Sequence, residues 1–345
     1  MMNGVKTLIL LGKCESASLA LDRFESYRSL LRLSPEEAAR SILIHPSNAQ
    51  PEHLQAVTCG YGGVLLGAPI GSPQYIEAWL AKKLSFYQEE HSRVLSSNLG
   101  SPKQWMLFHL SLCNQVNHTL RMLPPLFTSG FVESCQAMLV RTFQDITRCG
   151  PLSPDQQAQL YLPIAEGGFG LPNFTLTAPV AFVSSCAAAS VDILQRCPRL
   201  FDETQAFSWI KELGKAAEYV QSFLKPEERA SFSDFMQNSA TLQQSSLSSA
   251  IYLATSAKYH GLPRRDPVVA ARLLSLRSSD AGAWLLARCS KENQMTDVQF
   301  HTAICLRLGA ILPGLTDASK CSECKSHPLV DPRGEHFLHC PCGGE

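Results

Sequence analysis

The last 25 residues constrain this chain more than any other stretch. They open on Cys321-Ser-Glu-Cys324, pass a polar segment carrying Pro328, Pro332 and Gly334, and close on His336-Phe-Leu-His339-Cys340-Pro-Cys342-Gly-Gly-Glu345. A Cys-x-x-Cys turn aims two thiolates at one point, and His336 and Cys340, four residues apart, fall on one face of a helical turn. Cys321, Cys324, His336 and Cys340 therefore make a tetrahedral ligand set suited to Zn²⁺. So short a segment buries too little to fold alone, so metal binding supplies most of its folding energy. With all four positions filled by protein, no site is left for an activated water, and the zinc reads as structural. The plain alternative is a tail of ordinary reduced cysteines; the His-x-x-x-Cys at finger-like distance argues against it. His327, His339 and Cys342 are spare donors, and Pro341 ends the helix before Cys342.

A chain of 345 residues, 45% hydrophobic and only 17% charged, is long enough for two or three domains and folds rather than staying disordered. Its formal net charge of zero gives no global field toward nucleic acid or anionic membrane, so any polyanion site must be a local patch. Of thirteen cysteines, nine lie singly outside the C-terminal group, mostly in apolar helical patterns. That usage, without a secretion signal or a membrane-spanning run, predicts a soluble intracellular protein, nuclear or cytoplasmic, with reduced buried thiols.

In order along the chain, residues 5–11 read as a buried strand, residues 19–31 as an amphipathic helix, 41–45 as a second strand and Val64-Leu65-Leu66 as a third. The turn from Gly67 to Pro73 lacks the spacing and lysine of a phosphate loop; Ser72 as N-cap with Pro73 at the first helical position accounts for it better. The next helix puts Ile76, Leu80, Leu84, Tyr87, His91 and Leu95 on one face, with His91 a packing residue. Ser101-Pro102 predicts one helix through Trp105, Phe108, Leu112, Val116 and Leu120, stopped by Pro124-Pro125. A third helix runs from Phe131 to Gly150, and residues 161–173 form a Gly/Pro-rich loop. Its Gly168-Phe169-Gly170 lacks the third glycine of a dinucleotide fingerprint. Small-residue helix follows over 178–194, then shorter amphipathic helices to about 310, with the Ser/Gln-rich 238–250 either an exposed helix face or a joint.

Between residues 258 and 290 six basic residues, Lys258, Arg264, Arg265, Arg272, Arg277 and Arg288, face two acids, Asp266 and Asp280. A solvated helical face is one reading and a phosphate-contacting patch the other. No nucleophile elbow or His-Glu-x-x-His is present, and the acid pairs Glu36-Glu37 and Glu89-Glu90 sit in hydrophilic helical surroundings. The lone histidines His45, His53, His109, His118, His260 and His301 have no partner at motif spacing and read as core or surface residues.

Several ordered segments together resemble the reverse transcriptases of non-LTR retrotransposons. They are Leu66-Gly-Ala-Pro-Ile-Gly-Ser72, Asn117-His-Thr-Leu-Arg-Met-Leu-Pro-Pro125, Leu162-Pro163 with Gly167-Gly-Phe-Gly-Leu171 and an Ala178-Pro179 helix start, Ala281-Gly-Ala-Trp-Leu285, Asp297-Val-Gln-Phe300 with Leu306-Arg-Leu-Gly309, and Asp331-Pro-Arg-Gly-Glu-His-Phe-Leu-His-Cys340. The resemblance covers the region downstream of the catalytic palm and ends on the family's Cys-Cys-His-Cys knuckle. In that family an aromatic-Ala-Asp-Asp strand carries metal-binding carboxylates. Aligning residues 7–10 with the apolar tail of that strand puts Val5 and Lys6 where the acid pair belongs. The fingers and first catalytic acid are expected before residue 1, and the endonuclease after Glu345.

The resemblance thus implies a mainly α architecture: a palm-like α/β remnant over 1–71, a helical thumb-like segment over 72–150, a helical connector over 151–315 and the zinc knuckle over 316–345. It implies a fragment of an RNA-directed DNA polymerase without its catalytic centres. What remains is zinc binding and weak, unspecific contact with RNA or DNA through the knuckle and Lys258, Arg264, Arg265, Arg272 and Arg277. Two other readings stand beside it: a helical protein–protein interaction module stapled by zinc, and a retroelement remnant without a selected role.

Overall fold

Apolar residues at helical spacing become helices through most of the chain, and the fold is mainly helical. The computed structural model describes residues 9–11, 42–44, 62–65, 67–196, 208–226, 243–262, 266–290 and 294–312. It also describes the isolated positions 26, 29 and 229, and, near the C-terminus, 314–316, 319–321, 324, 329–334, 336 and 340. The helix expected over 19–31 lies outside the described residues apart from helical Ser26 and Ser29, as do Val5 and Lys6. By its contacts the chain divides into two compact units, residues 1–85 with 126–131, and residues 86–125 with 132–345. The boundaries expected after residues 150 and 315 both fall inside the second unit.

In the first unit β1 (Ile9–Leu11) pairs in parallel with β2 (Ile42–Ile44), Ile9 opposite Ile42. The stretch expected to be only a turn before the first long helix is half strand. β3 (Gly62–Leu65) and β4 (Ala68–Gly71) form an antiparallel hairpin, Gly63 opposite Ile70, and Gly67 at φ 86° makes the reversal. Helix α1 (Pro73–Leu95) starts as predicted: the Ser72 hydroxyl accepts the Tyr75 N–H at 3.3 Å and Pro73 opens the helix. Ile76, Leu80, Tyr87 and His91 are buried along its stripe.

The second unit corrects the single helix expected from Ser101. The chain forms α2 (Ser101–Leu110), a 3₁₀ turn (Leu112–Asn114) and α3 (Val116–Met122). The buried residues after Phe108 come four apart, and three such steps would carry the stripe about 120° around a continuous helix. A break at Ser111 keeps Leu112, Val116 and Leu120 inside. Pro125 does not merely stop a helix; it opens α4 (Pro125–Thr147), which ends on Arg148 in the left-handed region. After α5 (Pro154–Leu160) the Gly/Pro-rich segment holds a 3₁₀ turn (Ile164–Glu166) and buries Leu162, Phe169 and Leu171. Ala178-Pro179 is no helix start: Asn173 caps α6 (Phe174–Arg196), its Oδ1 accepting from Leu176 N at 3.2 Å, and Pro179 sits inside.

The rest is α7 (Ser208–Gln221), α8 (Gln244–Gly261), α9 (Pro267–Ser275), α10 (Ala283–Leu286) and α11 (Asp297–Leu308). The Ser/Gln-rich stretch is helical from Gln244. α6 packs on α3, α7 and α8. Its small residues let Val180, Val183 and Ala187 meet Leu213, Ala217, Val220 and Ile251 in one apolar core. A second core gathers around Trp105, whose ring lies 5.9–6.5 Å from Phe143, Phe169 and Phe300 and whose Nε1 donates to the Leu285 carbonyl at 2.9 Å. Burial pushes the Cys135 thiol up to about 12 and also raises Cys113 and Cys305, so these cysteines pack and do not react.

Arg307 ties these pieces together. Only 2% exposed, it donates to the carbonyls of Gly168 (3.1 and 2.9 Å), Ile164 (2.9 Å) and Ala281 (3.1 Å), with its guanidinium 5.6 Å from the Phe169 ring centre. Gly168 has no alternative, since a Cβ there would collide with the Leu162 carbonyl. Lysine has no planar fork to serve three carbonyls, so Arg307→Lys is expected to cost about 2–4 kcal/mol in urea unfolding. A loss below 1 kcal/mol (roughly one ordinary hydrogen bond) would mean the carbonyls find other donors.

His91 supplies a pH dependence. Buried, with Nδ1 2.7 Å from Thr142 Oγ1, it has its pKa lowered by desolvation from 6.5 to about 4. The unfolded chain takes up the proton first, so stability is full above the unfolded pKa and falls as pH drops from 6.5 toward 4. The loss from this residue alone is about 2 kcal/mol at pH 5. Thermal melts of His91→Gln should start lower at pH 7 and fall less on acidification than those of the parent chain.

Candidate metal centre

The C-terminal residues build a site from two short strands of chain and a turn. After α11, Gly309 at φ 60° ends the helix, and Leu312 N donates to the Pro332 carbonyl at 2.8 Å. Lys320 and Leu329 form an antiparallel bridge, and Val330 N donates to Ser319 O at 2.8 Å. That pairing places Cys321 just past one strand and Asp331-Pro332-Arg333-Gly334 past the other. Those four residues carry Asp, Pro and Gly where a type I turn favours them, and Gly334 N closes the turn on Asp331 O at 2.9 Å.

The turn delivers the ligands. Asp331 accepts from Arg333 N (2.9 Å) and His336 N (3.0 Å), one carboxylate oxygen each, and so fixes the backbone of the ligand histidine to the turn. Cys324 Sγ lies 3.5 Å from His336 Nε2 and 3.4 Å from Cys340 Sγ, and Cys321 Sγ lies 3.8 Å from Cys340 Sγ. All four donor atoms fall within 4.8 Å of one another, Cys321 and Cys324 are buried, and Leu315 and Val330 pack against the sulfurs. Metal–ligand bonds of about 2.0–2.3 Å in a tetrahedron require donors roughly 3.5–3.8 Å apart. The set fits a tetrahedral ion. Packed as thiols, the sulfurs disfavour charge: Cys340, hydrogen-bonded to it, is the main reason the Cys324 thiol is pushed up to about 12. A divalent cation reverses that preference, because ligation deprotonates the thiol.

The predicted ligands Cys321, Cys324, His336 and Cys340 are thus brought together; His327, His339 and Cys342 lie outside the described residues. Sequence reasoning passed over Asp331, although Asp-Pro-x-Gly five residues before a ligand histidine is a turn signal.

The basic patch fares differently. Arg277 Nε pairs with Glu166 Oε2 at 3.0 Å, and Glu166 also accepts from Ser256 Oγ at 3.2 Å, with its backbone carbonyl 3.0 Å from His260 Nε2. Arg272 Nη1 donates to Arg307 O and, at 3.3 Å, to Gln159 Oε1. Both arginines hold the helical body together. Lys258 and Arg288 are exposed, and Arg264 and Arg265 lie outside the described residues. Among the other histidines, His118 is exposed, His301 Nε2 meets Ser101 Oγ at 2.9 Å, and His109 stacks 5.1 Å from Trp105; His45 and His53 are outside the described residues. No helix among the described residues is long and apolar enough to cross a membrane. No family model, curated protein or solved structure matches the chain.

Metal analysis should find about one tightly held ion per chain, lost in Cys324→Ser and Cys340→Ser. Asp331→Ala keeps all four donors and is expected to weaken binding by about 10–100-fold in competition with a chromophoric chelator. Unchanged affinity would show that the turn holds its shape without that carboxylate.

Proposed function

We propose that this chain is the thumb, connector and zinc-knuckle portion of a non-LTR retrotransposon-type reverse transcriptase, and that its own activity is zinc-dependent, weakly specific binding of RNA or DNA. The observation that carries the reading is the Cys₃His cluster at the end of a mainly helical body, reached through the Asp331-Pro-Arg-Gly-Glu-His turn that figures in the resemblance. Zinc is the metal of choice for three thiolates and an imidazole in a closed tetrahedron. Further support is that the separated segments behind the resemblance meet in space. Arg307 bonds the Ile164, Gly168 and Ala281 carbonyls. Nucleic acid would meet the knuckle and the exposed cations Lys258 and Arg288, with Arg264 and Arg265 from the same basic stretch. A protein–protein interaction role is the second reading. It is favoured by the internal engagement of Arg272 and Arg277 and by exposed Leu274, Val298 and Ile311.

The test is salt-dependent binding to single-stranded RNA and duplex DNA. Weak binding with a shallow slope is expected, because few phosphates are neutralised. Arg264→Ala with Arg265→Ala should lower the slope by about two. Arg277→Ala should leave the slope alone and lower the melting temperature. Chelation should weaken binding by melting the knuckle. No salt-dependent binding at low ionic strength would leave the interaction module as the better account.

A further inference from the structure

The four metal donors flank the Asp331–Gly334 turn: Cys321 and Cys324 precede it, His336 and Cys340 follow it. An ion held by all four closes the chain into a loop around the turn and fixes where the turn sits. The helical body meets this turn through a backbone bond and an ion pair. Leu312 N, just beyond α11, donates to the Pro332 carbonyl at 2.8 Å, and Leu312 is buried. Arg333 Nη1 stands 3.6 Å from Asp266 Oδ2, both side chains about half exposed. Asp266 is also the cap of α9, its Oδ1 accepting from Val268 N at 2.9 Å, so one oxygen starts the helix and the other faces the turn. Helix α9 in its own right reaches the buried junction, because Arg272 donates to Arg307 O and, at 3.3 Å, to Gln159 Oε1. Beside the ion pair a cleft of about 110 Å³, lined by Arg333 with Val268, Val269 and Leu308, separates the turn from the body, while Val330 and Leu315 pack against the sulfurs. The turn is not packed flush on α9, so the Arg333–Asp266 pair lasts only while the turn is held in place.

We propose that the metal centre is a clamp on the helical body: ion binding seats Arg333 on Asp266, the cap of α9, and so steadies α9 against the end of α11. The inference rests on the metal centre and is independent of the nucleic-acid reading. A line of contacts carries it, from the ligand His336 through the Asp331 carboxylate to Arg333, and from there through Asp266 to α9. Binding free energies are reciprocal. If the metal steadies α9, then Asp266 must strengthen the metal site by the same factor, although it is no ligand. An exposed ion pair is worth little, so that factor is about two- to fivefold in affinity.

Zn²⁺ affinity of the full chain, read in competition with a chromophoric chelator, tests the clamp. Asp266→Asn keeps a capping side chain and loses the charge; Arg333→Gln keeps its backbone N–H to Asp331. Each is expected to weaken Zn²⁺ by about two- to fivefold with about one ion per chain retained, and the double variant to be no worse than either alone. Arg333→Gln is the decisive arm, because a plain field effect has the opposite sign: removing a positive charge three residues from a ligand tightens a dication. Hydrogen exchange supplies the body's side of the linkage. Chelation should speed exchange over residues 266–275 and leave 174–187, in the α6 core, unchanged, and the response over 266–275 should shrink in Arg333→Gln. Equal or tighter Zn²⁺ binding by Arg333→Gln, additive losses in the double variant, or exchange over 266–275 that ignores chelation overturns the clamp and leaves the metal centre standing. A parent chain that takes up no Zn²⁺ overturns the metal centre itself, and the clamp with it.

Discussion

A guanidinium buried with no carboxylate beside it among the described residues is an expensive thing to build, and the second unit is organised around one. Arg307 survives because carbonyls from two separate turns converge on it: Ile164 and Gly168 on one side and Ala281 on the other. Those carbonyls lie outside the α-helices, Ile164 opening a 3₁₀ turn, where backbone acceptors need partners. The arginine therefore does for irregular segments what a helix does for itself. Its own carbonyl then accepts from Arg272, which also bonds Gln159, whose Nε2 donates to the Gly167 carbonyl at 2.9 Å and to Arg307 O at 3.0 Å. Helix α11 is thereby tied to α9, to α5 and to the glycine-rich turn. The Trp105 core completes the arrangement from the apolar side.

That network changes the meaning of the sequence motifs. Gly167-Gly-Phe-Gly-Leu171, Ala281-Gly-Ala-Trp-Leu285 and Leu306-Arg-Leu-Gly309 look like separate signatures along the chain, yet each supplies a part of one junction. Glycine is required where backbone meets backbone, as at Gly168, and where a side chain must pass, as at Gly309. The junction was not legible in advance, because hydrogen bonds from a side chain to carbonyls between 26 and 143 residues away leave no periodic trace. What was legible followed local rules: the stripe of α1, its Ser72-Pro73 start, the mainly helical content and the clustering of Cys321, Cys324, His336 and Cys340. Failures came where two local rules competed. A run of apolar residues four apart looked like one helix and broke at Ser111, and Ala178-Pro179 looked like a helix start because Asn173 was overlooked as the cap.

The basic stretch shows the same limit from the charge side. Counting arginines along the chain treats each as a surface charge, but Arg272 and Arg277 are consumed by the body's own carbonyls and by Glu166. Three-dimensional placement leaves Lys258 and Arg288 as exposed cations of that stretch among the described residues. At the C-terminal end, Leu312 N donates to the Pro332 carbonyl and Asp331 holds the turn that carries His336.

The most direct test of that account is to load the chain with Co²⁺ and record its visible spectrum. Four protein donors in a closed tetrahedron predict intense d–d absorption with thiolate charge-transfer bands, saturating near one ion per chain and abolished by Cys340→Ser. A weak spectrum typical of a hydrated six-coordinate ion, unchanged by that substitution, would contradict it.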